Sequence, residues 1–131
     1  MADRRRLPDT RDSITRKLTL RYADEAGRLA ELDVYVHVGL YEDKTPGEVF
    51  MKAGKMGGAV SGLLDALAMS ISLGLQSGVP LEAYTAKLRG LRFEPAGQVV
   101  NDEDIKIATS VVDAVARWLD KKFPPPPEAA S

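Results

Sequence analysis

Two clusters of basic side chains set among glycines are the part of this sequence best suited to chemistry, and that chemistry is anion binding. In the first, Lys52 and Lys55 supply charge. Gly57 and Gly58 leave backbone N–H groups open where a helix begins, an arrangement that suits a phosphate. No Gly-Lys-Ser/Thr closes the turn, which excludes nucleotide hydrolysis of the P-loop kind; the same glycines would equally serve close packing of a strand on a helix. In the second cluster, the turn from Leu88 to Pro95 sets Arg89 and Arg92 beside Phe93, with Lys87 close by. Guanidinium groups match phosphate in bidentate fashion, and an exposed aromatic ring can stack on a base. A buried Phe93, with Arg92 paired to Glu94 or Asp113, is the structural alternative.

Catalytic chemistry finds little support. The chain has no cysteine, which excludes thiol catalysis, redox exchange and zinc-finger sites. His37 is the only histidine; alternation places it on the wet face of a strand, near Asp33 and Glu48, without the partners that a general base or a metal site requires. Glu42, Asp43 and Glu48 could attract a divalent cation, but nothing in their spacing fixes a geometry. The expectation is no catalytic residue, no metal and no cofactor.

The formal net charge of −1 conceals an asymmetry: residues 1–21 carry seven basic side chains against three acidic ones, a balance of +4, which leaves −5 on the remainder. Residues 1–12, with Arg4, Arg5, Arg6 and Arg11, read as a flexible basic arm able to reach a nucleic-acid backbone or an acidic partner, or as a solvated tail. Residues 123–131, with Pro124 to Pro127, read as a stiff, disordered tail. Residues 13–122 read as one domain, and a chain of 131 residues with 44% hydrophobic content can bury a core unaided. No window reaches 18 uninterrupted apolar residues, and the first residues lack the apolar run of a signal peptide, so a cytoplasmic protein without a membrane partner is expected.

Periodicity predicts the elements that hold these clusters. Alternation from Leu18 gives one strand, Asp24-Glu25-Ala26-Gly27 a turn, Leu32 to Leu40 a second strand, and Gly47 to Ala53 a third. Val60, Leu63, Leu64, Leu67, Ile71 and Leu75 recur at helical spacing over 58–76, stopped by Ser77-Gly78. Pro80 opens a short helix that ends near Arg89-Gly90. Ile105, Ala108, Val111, Val112, Val115, Trp118 and Leu119 mark a last helix over 103–120, capped by Asn101 or Asp102. The expected fold is α+β: a three-stranded antiparallel meander packed against two main helices and one short helix. Its two exposed sheet edges and long apolar helix leave room for a homodimer.

The blocks GEVFMKAGKMGG, ISLGLQSGVPLEAYTAKLRGLRFEPAG and IKIATSVVDAVARWL resemble the C-terminal, TSCPD-type domain of adenosylcobalamin-dependent (class II) ribonucleotide reductases and its small stand-alone relatives, over residues 14–122. The family's Thr-Ser-Cys-Pro-Asp run corresponds to Thr109, Ser110, Val111, Val112 and Asp113, so its cysteine is missing. In the full-length reductases this region precedes a tail whose cysteine pair re-reduces the active site, whereas here Lys121-Lys122-Phe123 leads into four prolines. The resemblance implies common ancestry of a domain without the radical chemistry. The function expected is a non-catalytic accessory or binding module for a nucleic acid, a nucleotide or a protein. The alternatives are an accessory subunit of a ribonucleotide reductase, whose activity would need another chain, and a small structural homodimer.

Overall fold

A computed structural model of the chain describes residues 3–54 and 58–126. The elements follow in the order β1 (Ser13–Ala23), β2 (Leu29–Leu40), β3 (Pro46–Ala53), α1 (Gly58–Gln76), α2 (Leu81–Leu88), β4 (Gly97–Val99), β5 (Ile107–Ala108) and α3 (Val111–Lys122). The class is α+β with three helices, as expected, but the sheet has five strands in the order β3-β2-β1-β4-β5, which overturns the three-stranded meander. The two additional strands are only three and two residues long. No alternation can show over so short a run, and only pairing defines them: Leu20 with Val99, Arg21 with Gln98, then Gly97 with Ala108 and Gln98 with Ile107.

By its contacts the chain divides into two compact units, Met1–Lys17 with Val34–Leu81, and Leu18–Asp33 with Glu82–Ser131. In the first unit β2 pairs antiparallel with β3 in unbroken register from Val34 opposite Ala53 to Gly39 opposite Glu48. Helix α1 packs on β3, burying Leu64, Ala68 and Ile71. The expected stripe is partly displaced, for Leu67 is half-buried and Leu63 is 71% exposed. The reason lies one turn further on, where two polar side chains of α1 take the backbone of β3. Ser72 Oγ accepts from the Val49 N–H at 2.8 Å and donates to the Val49 C=O at 3.0 Å, and Gln76 Nε2 donates to the Gly47 C=O at 3.0 Å. β3 ends the sheet, so these bonds satisfy edge groups that would otherwise pair with another chain. By length and composition α1 is also the one helix among the described residues able to cross a membrane. It ends as expected at Ser77-Gly78, where Gly78 has φ +95 and the Gly78 and Val79 N–H groups bond the Leu75 and Gly74 carbonyls.

In the second unit the last helix starts at Val111, eight residues later than expected. Asp102 does receive N–H groups, from Asp104 and Ile105 at 2.9 Å each, but this is a local turn that imitates a helix cap without starting a helix. The cap is Ser110, whose hydroxyl accepts from the Asp113 N–H at 2.9 Å. Ile105 and Ala108 are nevertheless buried like Val111, Val112, Val115, Trp118 and Leu119, so helical spacing here selected core positions across a turn, a strand and a helix. Asn101 takes a different role from the expected cap: its Oδ1 accepts from the Thr19 N–H at 2.9 Å, while the Thr19 C=O accepts from Val100 at 3.0 Å.

Candidate functional site

Of the basic clusters, the one that the structure describes in full lies in the second unit. α2 ends at Leu88, and the chain from Arg89 to Phe93 runs beside β5: Phe93 N–H donates to the Thr109 C=O at 3.2 Å, and Thr109 Oγ1 donates to the Leu91 C=O at 2.9 Å. A groove of about 590 Å³ is lined by Arg89, Gly90, Ile107, Thr109, Asp113 and Arg117. A second, of about 470 Å³, shares Ile107 and Thr109 and adds Arg92, Phe93 and Glu94.

Asp113 organises the floor of this region. Its carboxylate accepts the Gly90 N–H at 2.7 Å and the Thr109 N–H at 3.0 Å, with Arg117 Nη1 at 3.4 Å, and the residue is 2% exposed. Burial pushes the Asp113 carboxyl up, but the Gly90 and Thr109 N–H groups and the Arg117 guanidinium outweigh it and hold the group below the usual carboxylate range. Ser110 caps α3, and Asp113 reaches back past the cap to the Thr109 N–H and across to the Gly90 N–H, so the acid ties the start of α3 to the turn after α2. Between them Val111 and Val112 are buried at 1% and 5% exposure. The Thr109–Asp113 run therefore works as architecture: its hydroxyl and carboxylate are engaged by backbone, and its centre packs in the core.

The arginines around the groove are only partly free. Arg89 bonds Asp120 at 3.1 Å, and Arg117, not singled out from the sequence, bonds the Ile107 C=O at 2.6 Å as well as Asp113. Its i,i+4 spacing from Asp113 was the available signal. Arg92 is exposed and has no ion pair among the described residues, so the pairings with Glu94 or Asp113 do not form. Phe93 is 39% exposed, neither a core ring nor a fully open one.

In the first unit, Lys52 is exposed on β3 opposite Tyr35 and Gly58 begins α1, while Lys55 and Gly57 lie outside the described residues. Arg4 Nε donates to Gln76 Oε1 at 2.7 Å, Arg5 lies 3.8 Å over the Tyr41 ring, and Arg11 grips Glu48 through two bonds of 2.5 and 3.1 Å. Arg6 is exposed. His37 shares a hydrogen bond of 2.9 Å with Thr15 Oγ1, not with Asp33 or Glu48. Among the described residues no group of three or more His, Cys, Asp or Glu side chains could hold a metal ion.

The TSCPD domain family matches residues 8–123, a span that takes in both units and the capped start of α3. The chain belongs to the TSCPD domain family. It is 44% identical over 120 residues to a vitamin B12-dependent ribonucleotide reductase of Rhodopirellula baltica, covering 92% of this chain and 11% of that protein. It is 40% identical over 122 residues to one of Streptantibioticus cattleyicolor, covering 93% and 19%. With one of Bradyrhizobium diazoefficiens the identity is 39% over 119 residues, covering 91% and 9%. This TSCPD chain thus spans less than a fifth of the length of these curated relatives. No solved structure matches it. In this chain Ser110 and Asp113 are buried and bonded to backbone, and Val111 between them is buried.

Proposed function

We propose that this TSCPD chain is a non-catalytic binding module, related to the C-terminal domain of vitamin B12-dependent ribonucleotide reductase, that takes a phosphate-bearing partner, a nucleic acid or a nucleotide. One observation carries the non-catalytic part: the polar groups of the motif, Ser110 and Asp113, are both bound to backbone, and Val111 between them is 1% exposed. The hydroxyl of Thr109, which also lines the groove, is likewise held by backbone, at the Leu91 C=O. The anion preference is supported by Arg92, exposed beside a partly exposed Phe93 on the groove, and by Arg6 and Lys52, also exposed and without ion pairs among the described residues. Such contacts to phosphate need no base recognition. Lys52, Lys55, Gly57 and Gly58, and the arm of Arg4, Arg5, Arg6 and Arg11, belong to the same proposal.

Titrating labelled single- and double-stranded DNA with the protein, by fluorescence anisotropy at low and near-physiological salt, tests it. Binding that weakens steeply with salt is expected; absence of binding at low salt removes the phosphate-bearing partner.

A second reading, docking to a protein, has its own support. Leu91, Phe93 and Ile107 in the second unit are 43%, 39% and 69% exposed, and Phe50, Leu63, Met69 and Leu73 in the first unit are similarly open. A separate reductase chain or a second copy of this one would fit that reading. Sedimentation equilibrium of the protein alone distinguishes a homodimer from a monomer awaiting another chain.

A further inference from the structure

The segment from Arg4 to Asp12 is the part of the first unit whose contacts exceed what a solvated arm would make. Its backbone is held at three points: the Arg5 N–H donates to the Gln76 C=O at the end of α1 at 2.6 Å, Tyr41 Oη donates to the Arg5 C=O at 2.5 Å, and the Leu40 N–H donates to the Asp12 C=O at 2.9 Å. The first of these satisfies a carbonyl that the helix itself leaves open. Its side chains are held as well. Arg5 stacks on Tyr41 and reaches Asp43 at 3.8 Å, and Arg11 forms the two-bond fork with Glu48, whose side chain is only 12% exposed.

Two glycines shape the seat. A Cβ on Gly39 would collide with the Glu48 carboxylate, and one on Gly47 would meet the Tyr41 ring at 2.6 Å and Leu7 at 3.0 Å. The carboxylate and the aromatic face that receive the arginines therefore occupy room that these positions leave open. The same arginines are the groups that a phosphate backbone would claim, and one guanidinium cannot fork to Glu48 and to a phosphate at once.

We infer that residues 4–12 form a strap that closes on the first unit through Glu48 and Tyr41, and that a nucleic-acid phosphate backbone competes for its arginines, so that binding and release of the strap are one equilibrium. The competition rests on the phosphate-binding reading above; the strap does not. Closure lowers the apparent affinity by the fraction of chains with the arm bound down.

The test compares the full chain with Glu48→Gln and Arg11→Gln, using a single-stranded DNA oligonucleotide and amide hydrogen exchange followed by mass spectrometry. Both variants loosen the strap, so exchange at Arg5 and Leu40 should quicken in each without DNA. Only Glu48→Gln frees an arginine, and with the loss of one ion pair as the guide it should tighten DNA binding by up to about fivefold, whereas Arg11→Gln should not. Adding DNA to the unaltered protein should quicken exchange at Leu40, on β2. Unchanged exchange in both variants overturns the strap. Slower exchange at Leu40 with DNA, or equal affinities for the protein and Glu48→Gln, overturns the competition. Failure of all three proteins to bind DNA at low salt overturns the competition and the phosphate-binding reading together, while the exchange rates without DNA still decide the strap.

Discussion

Replacing Asp113 by alanine removes three interactions at once, and their sum can be worked from the structure. The carboxylate is almost fully buried and accepts two backbone N–H groups and one arginine. Hydrogen bonds to a charged group contribute about 1.5–3 kcal/mol each when the partner stays buried. Gly90 is exposed and Thr109 half-buried, so water can reach the orphaned donors in part. The Arg117 contact, at 3.4 Å with an arginine that keeps its bond to Ile107, adds little. The expected loss is about 3 kcal/mol for Asp113→Ala and about half of that for Asp113→Asn, which keeps an acceptor and loses the charge. In urea, with a slope of about 1.5–2 kcal/mol/M for a domain of this size, the midpoint should fall by roughly 1.5–2 M at constant slope. Ser110→Ala should cost about 1 kcal/mol as a lost cap. The double variant should cost less than the sum, because each residue bonds within the other's turn. A loss under about 1 kcal/mol for Asp113→Ala, or strict additivity, would refute the view of Thr109–Asp113 as a structural clamp.

Acid titration follows from the same group. Asp113 and Asp102 have folded values held below the ordinary one, so their stabilisation is complete above the unfolded carboxylate value of about 3.9 and disappears as pH falls through the folded values. Urea midpoints between pH 7 and pH 2 should drop below pH 4, with a shallower drop in Asp113→Asn. Val111→Cys places a thiol at a position that is 1% exposed; it should cost less than about 1.5 kcal/mol and react with a thiol reagent only after unfolding, and rapid reaction in the folded protein would contradict the burial of this position in the core. Ser72→Ala leaves both backbone groups of Val49 without their partner, and concentration-dependent self-association in sedimentation velocity is the expected outcome.

The long elements were readable because their patterns outlast local noise: α1 occupies the stretch that its periodicity marks, and the Gly78 stop is where the sequence placed it. β4 and β5 were not readable, since pairing of Leu20 with Val99 and Gly97 with Ala108 joins residues far apart in sequence and leaves no periodic trace in two or three residues. Asp102 misled because an acid that accepts N–H groups two and three residues ahead looks the same before a turn as before a helix. Beside the groove, Arg89 and Arg92 were read as candidates from their type alone. The pairing of Arg117 with Asp113 was open to view at i,i+4 within the expected helix, whereas the bonds of Asp113 to Gly90 and of Arg117 to Ile107 reach outside that helix and leave no periodic trace. For the arm, charge counting identified Arg4, Arg5 and Arg11 but could not show Glu48, Tyr41 and Gln76 waiting for them across long sequence separations.

Phosphate binding by exposed cations, the reading proposed above, would show itself in the salt dependence of oligonucleotide affinity. Each cation that contacts single-stranded DNA contributes about 0.7 to the negative slope of log affinity against log salt. Anisotropy titrations over a series of salt concentrations should give a clear negative slope for the unaltered chain. The slope should be shallower by about 0.7 in Arg92→Ser and again in Arg6→Ser, with urea midpoints unchanged because neither side chain has an ion pair among the described residues. Affinity independent of salt, or slopes that neither substitution alters, would contradict the claim.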